Sequence, residues 1–527
     1  FIVVYSFWLR APSGADIPAF QLGNYAKFFE DFFYPKILIR TIRISFETVF
    51  LCLVMGYIPA YFFYRSESRY KQAFLLLIML PFWVSFIIRT MSWINIMGDS
   101  GLINHFLLKI GLIQSPISML YNEFTVLMGL IMYLLPFMVL NIYVSLEGID
   151  KSLLEAARCM GCTEWQAFRE VTLPLSLPGV SAGCLLVFVL TAGTYLPPMI
   201  LGGPGNDMIA NLIFKRIIGT LDWPFGSAIS VILLSLLFVI VWTYNRYLGI
   251  NQIFKSFQGT YSMKYFSLGW TLIRIYTVLV YIFLFAPIVV VIVLAFNPKQ
   301  FGIFPMEGVS FRWFIKLAQN EAIIDAFKNS LVLGSLTAVF STGIGILAAL
   351  AFIRFDFRGK NTINTLLLSP IMIPEVVLGV ALLLFLRWLQ QPKSFALLLI
   401  GHVVLTLPYV LLIVQARLVG IKKEYEEAAK SLGASPFNTF KEITFPLLLP
   451  AILAGALFSF TISFDDITAT LFWATAQNQT VPVKIFSMLR NSISPEINAL
   501  GAVMIVLTVA TPLLAGYLSR KFSKVKE

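Results

Sequence analysis

Apolar runs close to 20 residues or longer alternate with short polar stretches from one end of the chain to the other. An α-helix rises about 1.5 Å per residue, so each run matches the roughly 30 Å hydrocarbon layer of a bilayer. The pattern predicts spans over 38–64, 73–97, 123–147, 178–200 and 227–248. A second set is predicted over 268–296, 330–353, 363–389, 394–416, 447–473 and 498–519. The opening FIVVYSFWL is too short to span alone and reads as the tail of a first helix rather than a signal peptide. The expectation is an all-α, polytopic membrane protein of two homologous halves with about six spans each.

The halves are written in related text. EAARCMGCTEWQAFREVTLPLSLPG, Glu155 to Gly179, aligns with EAAKSLGASPFNTFKEITFPLLLPA, Glu427 to Ala451, at an offset of 272 residues. Gly161 falls on Gly433 and Pro174 on Pro446. Upstream, MGYIPAYFFYR ending at Arg65 parallels IGILAALAFIR ending at Arg354, with an offset of 289 that Pro81 and Pro370 share. The offset falls because the first half carries an extra outer segment, GLINHFLLKIGLIQSPISMLYNE. Downstream, WPFGSA at 223–228 lies opposite SPEINA at 494–499. The repeat divides the chain into a first half, 1–248, and a second, 266–527, joined by the polar stretch 249–265. The repeated polar paragraphs fill 150–178 and 422–450. Both halves run in the same direction, which suits a pseudo-two-fold axis along the membrane normal.

Each paragraph reads as helix–turn–helix along a membrane face. The first helix stops at Gly161 or Gly433, suited to a left-handed cap. The second starts at Thr163, with Gln166 completing a capping box, or at Ser435 with Pro436 in the first helical position. Trp165, Phe168 and Val171 match Phe437, Phe440 and Ile443 as an apolar stripe, and Pro174 and Pro446 are expected to end the second helix. An interfacial anchor would need this amphipathicity only once. Duplication with matched glycines and prolines points to a partner.

Hydrophobic residues make up 58% of the chain and charged ones only 13%, with a net charge of +12. The positive charge gathers in alternate loops: Arg65, Arg69 and Lys71; Arg354, Arg358 and Lys360; Arg417, Lys422 and Lys423; and the tail from Arg520 to Lys526. This is the signature of cytoplasmic loops and not of nucleic-acid binding, and it places both paragraphs and the C-terminus in the cytoplasm. Lys299, Arg312, Lys316 and Lys328, in loop 297–328 on the other face, are the exception. Cys159 and Cys162 have metal or redox spacing, but no second Cys or His cluster joins them and the partner copy reads SLGA. Packing is expected of them, and no metal. Of the two histidines, His105 and His402, the latter lies in an apolar span and reads as a packing residue. No G-x-x-x-x-G-K-[ST] occurs, and RGKN at 358–361 lacks its spacing, so nucleotide hydrolysis falls to another chain.

Both paragraphs resemble the EAA loops of type I ABC-importer permeases, through Glu155, Ala156, Ala157 and Gly161 and through Glu427, Ala428, Ala429 and Gly433. Val171 stands where the family usually has Ile, and Cys162 where it has Ala. The resemblance implies that each loop docks on an ATP-hydrolysing subunit. Two ATPase copies would carry ATP and Mg, an extracytoplasmic binding protein would deliver substrate, and the lipid around the chain would be the bacterial inner membrane. PFWVSFIIR, LLPFMVLNIY and DWPFG in the first half, and FNPKQFG, SFDD and SPEINALG in the second, resemble the two membrane subunits of spermidine/putrescine permeases. The chain is similar to a fusion of them.

The residues bear on substrate independently. Glu375, Asp465 and Asp466 lie inside predicted spans with no Lys or Arg close by in the chain. Such acids are costly in lipid, so they face a pathway or a partner. A row of carboxylates suits a multiply charged cation, and Trp83, Trp93, Tyr195, Phe464 and Trp473 offer ring faces to alkylammonium groups. Neighbours on a helix diverge by about 100°, so Asp465 and Asp466 cannot both address one atom. The other reading is that one of them caps an unwound helix. The first half reads TAGTYLPPMILGG at the same place, and its Glu47 has Arg43 one turn earlier as a ready partner. Permeases of this kind for ferric ion, thiamine or phosphonate, and an ion-coupled secondary transporter, remain alternatives.

Overall fold

The structure is a computed structural model that describes residues 1–66, 71–248, 268–299, 305–491 and 495–524. The linker 249–265, Arg69, the tail beyond 524 and the side chain of Trp83 lie outside the described residues. Apart from an antiparallel pair of two-residue strands, Leu9–Arg10 with Asp16–Ile17, the described secondary structure is helical. Among the described residues, seven helices are long and apolar enough to cross a membrane, or nine if each of two sharply bent pairs is one span.

The first unit holds α1 (Phe33–Arg65), α2 (Lys71–Trp83), α3 (Phe86–Met97), α4 (Glu123–Glu147), α5 (Lys151–Cys159) and α6 (Glu164–Gly193). It continues with α7 (Leu196–Leu201), α8 (Ile209–Phe214), α9 (Trp223–Leu248) and α10 (Leu268–Leu294). The second unit repeats the plan: α11 (Glu321–Arg354), α12 (Lys360–Leu368), α13 (Glu375–Trp388), α14 (Phe395–Val419) and α15 (Lys423–Ser431). It ends with α16 (Pro436–Asp465), α17 (Thr468–Trp473), α18 (Val481–Asn491) and α19 (Pro495–Lys524). Packing draws its boundary at Leu294, because α10 lies against α1, α2 and α3. Repetition in sequence and packing in space are separate criteria here.

The core of each unit is a three-helix seam, α1–α4–α6 and α11–α14–α16. Little drives apolar helices together in lipid except close contact, so small residues line such seams. A Cβ at Gly56 would lie 3.2 Å from Met138, and one at Gly345 2.7 Å from Val410.

Two expectations are corrected. Pro174 and Pro446 do not end their helices: each helix runs unbroken from the repeated loop into the span, as Glu164–Gly193 and Pro436–Asp465. Proline lacks a donor and crowds the carbonyl four residues back. A π-helical turn just before it, Phe168–Thr172 or Phe440–Thr444, widens the coil, and Leu173 and Phe445 donate to the carbonyls of Phe168 and Phe440. Nor are four of the predicted spans continuous. The spans 73–97 and 363–389 bend by 86° and 110°, at breaks preceded by Pro81 and Pro370. The spans 178–200 and 447–473 stop at Gly193 and Asp465 and restart as α7 and α17. In each unit the breaks meet, α3 packing on α7 and α13 on α17.

Candidate coupling loops and substrate site

The repeated loops follow the local rules. Gly161 and Gly433 turn the chain at φ +84° and +88°. Thr163 and Gln166 form the capping box, and the Ser435 hydroxyl accepts from the Asn438 amide at 3.2 Å. Glu155, Ala156 and Gly161 are exposed while Ala157 is buried. Glu427, Ala428 and Gly433 are likewise exposed, with Ala429 half-buried. Neither Glu155 nor Glu427 forms an ion pair among the described residues. The expected apolar stripe divides. Phe168 packs edge-on against Tyr57 and Tyr61, but Trp165 and Phe437 point out, 64% and 71% exposed. Leu153, Met160 and Trp165 in one loop, and Tyr425, Leu432 and Phe437 at the matching positions of the other, are exposed, as are the two glutamates. Exposed apolar groups rimmed by charge mark contact surfaces.

Each loop is fastened to the first long span of its unit by an arginine that sequence reasoning used only as a topological marker. Arg65, the last residue of α1, donates to Glu164 at 2.7 Å, and Arg158 shares that carboxylate at 2.9 Å. Arg354, the last residue of α11, binds Glu426 at 3.0 Å and the Ile421 carbonyl at 3.1 Å, while the Thr444 hydroxyl donates to Glu426 at 2.9 Å. The positions of Arg65 and Arg354 in the repeat were the signal that could have found these clamps.

The candidate substrate residues fall into two groups. In the first unit Trp93 is buried in α3 with its ring 5.6 Å from that of Phe283. Tyr195 is buried at the α6–α7 break, stacked on Phe214 at 5.0 Å, and its carbonyl accepts from Asn211 at 2.6 Å. Arg43 reaches Glu47 at 3.8 Å but bonds Glu123 more closely, at 2.6 Å.

In the second unit the breaks bring the acids together. Glu375 opens α13, exposed, beside Thr468 and within electrostatic reach of Asp465 and Asp466. Asp465 is half-buried. Asp466 is buried, and its carboxylate accepts from the Thr470 amide at 2.8 Å and the Thr470 hydroxyl at 2.7 Å, capping α17. Phe464 is buried and stacked on Phe460 at 5.5 Å. Trp473 is buried too, its indole donating to the Gly379 carbonyl at 2.8 Å, so it ties α17 to α13. His402 packs as expected, between the Ser463 hydroxyl at 2.8 Å and the Thr470 hydroxyl at 3.0 Å. Tyr409, in the electrostatic field of Glu375, had not been singled out from sequence; only the fold brings it there.

Two repeated bundles, each with an exposed helix–turn–helix loop and a pair of broken spans within it, define a multi-pass membrane permease of the ABC-importer type. Residues 52–248 and 341–524 match the family of inner membrane components of binding-protein-dependent transport systems, and the chain belongs to that family. Its relatives include the spermidine/putrescine transport system permease protein PotC of Escherichia coli strain K12, 36% identical over 245 residues. That match covers 46% of this chain and 92% of the relative. PotB of Salmonella typhimurium strain SL1344 is 34% identical over 251 residues, covering 47% of this chain and 87% of its own. Each relative is used nearly whole by less than half of this polypeptide, which fits two permease subunits fused. The crystal structure of a bacterial ABC transporter that imports alginate covers 48% of this chain and 95% of its own, at 18% identity and a TM-score of 0.42.

Proposed function

We propose that this chain is the membrane permease of an ATP-driven polyamine importer. The observation that carries it is the meeting of Glu375, Asp465 and Asp466 at paired helix breaks; the spermidine/putrescine relatives support the same cargo. Glu375 and Asp465 would face the ammonium groups, while Asp466 holds the break open by capping α17. An ammonium leaving water needs charge that replaces its hydration, and fixed carboxylates supply it. Ring faces contribute about 0.5–2 kcal/mol each where they reach the cation.

ATP and Mg belong to two copies of a separate ATPase seated on the loops around Glu155 and Glu427. An extracytoplasmic binding protein loads the opposite face. The loops and the C-terminus lie in the cytoplasm and the chain in the inner membrane. ATP closes the ATPase pair, the loops follow, and the halves rock between inward and outward access.

The test is initial-rate uptake of labelled putrescine and spermidine in proteoliposomes holding the chain, its ATPase and its binding protein. Glu375→Gln keeps size and removes charge; losing about 1.4 kcal/mol at the limiting step slows uptake roughly tenfold. Wild-type uptake by Glu375→Gln and Asp465→Asn alike would remove the polyamine reading. Uptake driven by an ion gradient without ATP would favour a secondary transporter.

A further inference from the structure

Pairs of adjacent side chains at the outer ends of α1 and α11 grip the loop that follows each broken helix. In the first unit Arg40 donates to the Gly205 carbonyl, and the Thr41 hydroxyl accepts from the Ile209 amide at 2.8 Å. In the second, Asn329 donates to the carbonyls of Gln477 and Gln479 at 3.0 and 3.2 Å, and the Ser330 hydroxyl accepts from the Val481 amide at 2.8 Å. The gripping residues obey the 289-residue offset of the repeat, and Gly205, Gln477, Ile209 and Val481 obey the 272-residue offset. The side chains differ, yet two main-chain targets, the Gly205 or Gln477 carbonyl and the Ile209 or Val481 amide, match, and the Gln479 carbonyl is an addition of the second unit. Neither sequence alone suggests this.

The hydroxyls serve where the side-chain caps of α8 and α18 would stand, supplied from another helix. Thr41, Ser330, Ile209 and Val481 are all buried. A buried amide left without its acceptor is destabilising, so these bonds persist while the units move. The outer loop therefore travels with its span, and its tip, Pro204–Gly205 or Ala476–Gln477, is exposed. The same spans end at Arg65 and Arg354, which clamp the inner loops. Grip and clamp are equally spaced in both helices, about 36 Å apart. Between them runs unbroken helix, whereas the helices flanking the acid cluster are interrupted.

We propose that α1 and α11 are the transmission rods between the outer and inner faces, with Arg40, Thr41, Asn329 and Ser330 as positioning residues that fasten the outer loops to them. The proposal rests on the importer reading for what docks at either end. Binding-protein contact at an outer tip moves the rod lengthwise, and the clamp passes that motion to the loop that seats the ATPase.

The test compares Ser330→Ala, Arg354→Gln, the double variant and Ser330→Thr in proteoliposomes containing the full chain and its ATPase. Spermidine-loaded binding protein is the stimulus, and stimulated ATP hydrolysis is read. Each single change should lower stimulation about three- to tenfold, the scale of one hydrogen bond. The double variant should be no worse than the worse single one, because both cut one path, and Ser330→Thr should restore it. Multiplying effects, or wild-type stimulation by Ser330→Ala, would overturn the rods. Hydrogen exchange on the chain alone in nanodiscs needs no partner. Ser330→Ala should quicken exchange at 474–484 and also at 423–444, and a change confined to 474–484 sinks the idea. Absence of stimulation in the unaltered protein would instead count against the importer reading, and the exchange result would still decide the rods.

Discussion

The two repeated loops are held by equivalent arginines and by different acids. Arg65 finds Glu164 on the second helix of its loop, where the second half has Pro436. Arg354 finds Glu426 on the first helix of its loop, where the first half has the buried Leu154. The attachment has been kept while the residue making it changed position, so what matters is a carboxylate within reach of the end of the span. The surroundings also differ. The Arg354–Glu426 side chains are 10% and 12% exposed, against 29% and 45% for Arg65–Glu164.

That difference sets the largest predicted effect. Arg354→Glu leaves Glu426 facing a like charge in a mostly dehydrated place, and breaking a buried pair costs about 3–5 kcal/mol. Arg65→Glu acts on a solvated pair worth about 1 kcal/mol or less, and Glu164 keeps Arg158. The yield of ATPase co-purified with the permease should collapse for Arg354→Glu and fall only slightly for Arg65→Glu. Adding Glu426→Arg to Arg354→Glu should recover part of it. Equal losses in the two halves would show that burial is not what separates the clamps.

A second contrast lies where α14 and α4 meet the short helices after the breaks. Gly401 and Gly129 are equivalent, as are Trp473 and Leu201. A Cβ at Gly401 would lie 2.2 Å from the Trp473 ring, which its bond to Gly379 holds still. At Gly129 the Cβ would meet the far end of Leu201 at 2.9 Å, a flexible side chain. Gly401→Ala should therefore lower the unfolding temperature markedly, by overpacking worth roughly 1–3 kcal/mol, and Gly129→Ala much less. Matching shifts in a detergent melt would mean that Trp473 moves aside freely.

The caps at Thr163 and Ser435, the turns at Gly161 and Gly433 and the doubled bundle were legible because each depends on residues close in sequence or on repetition. The clamps were not: Arg65 and Glu164 are far apart in the chain, and only packing of α1 beside α6 unites them. The π-turns were hidden for another reason. A proline announces a missing donor but not whether the helix stops or widens. At Asp465 and Asp466 the sequence left two readings open, and the structure divides them between the residues, one half-buried and one spent on a cap.

That division is open to test. The first break follows from Pro197 and Pro198, which open α7, and the Thr194 hydroxyl bonds back to the Leu190 carbonyl. The second has no such prolines and depends on the Asp466 carboxylate. Asp466→Asn weakens two charge-assisted bonds, at a cost of about 1–2 kcal/mol. It should lower the melting temperature modestly, whereas Glu375→Gln should change uptake and leave the melt near wild type. Reversal of that pattern would exchange the roles of the two acids.

The smallest effect concerns the start of the repeated loops, where Asp150 in one half stands opposite Lys422 in the other. Asp150 accepts from the Ser152 amide at 2.9 Å and caps α5, whereas Lys422 gives α15 no side-chain cap. Hydrogen bonds from the Ser152 backbone and side chain hold the Asp150 carboxyl below its ordinary value. A depressed folded-state value means stability that is present above the unfolded pKa and is lost as pH falls through the folded one. Acidification below the usual aspartate range, about pH 4, should thus loosen α5 through this group. Exposure keeps the effect small. Hydrogen exchange at 152–159, corrected for intrinsic rates, should show the acid-dependent step. Asp150→Asn, which still caps but does not titrate, should abolish it. Persistence of the step in Asp150→Asn would assign the acid response to some other group on the loop.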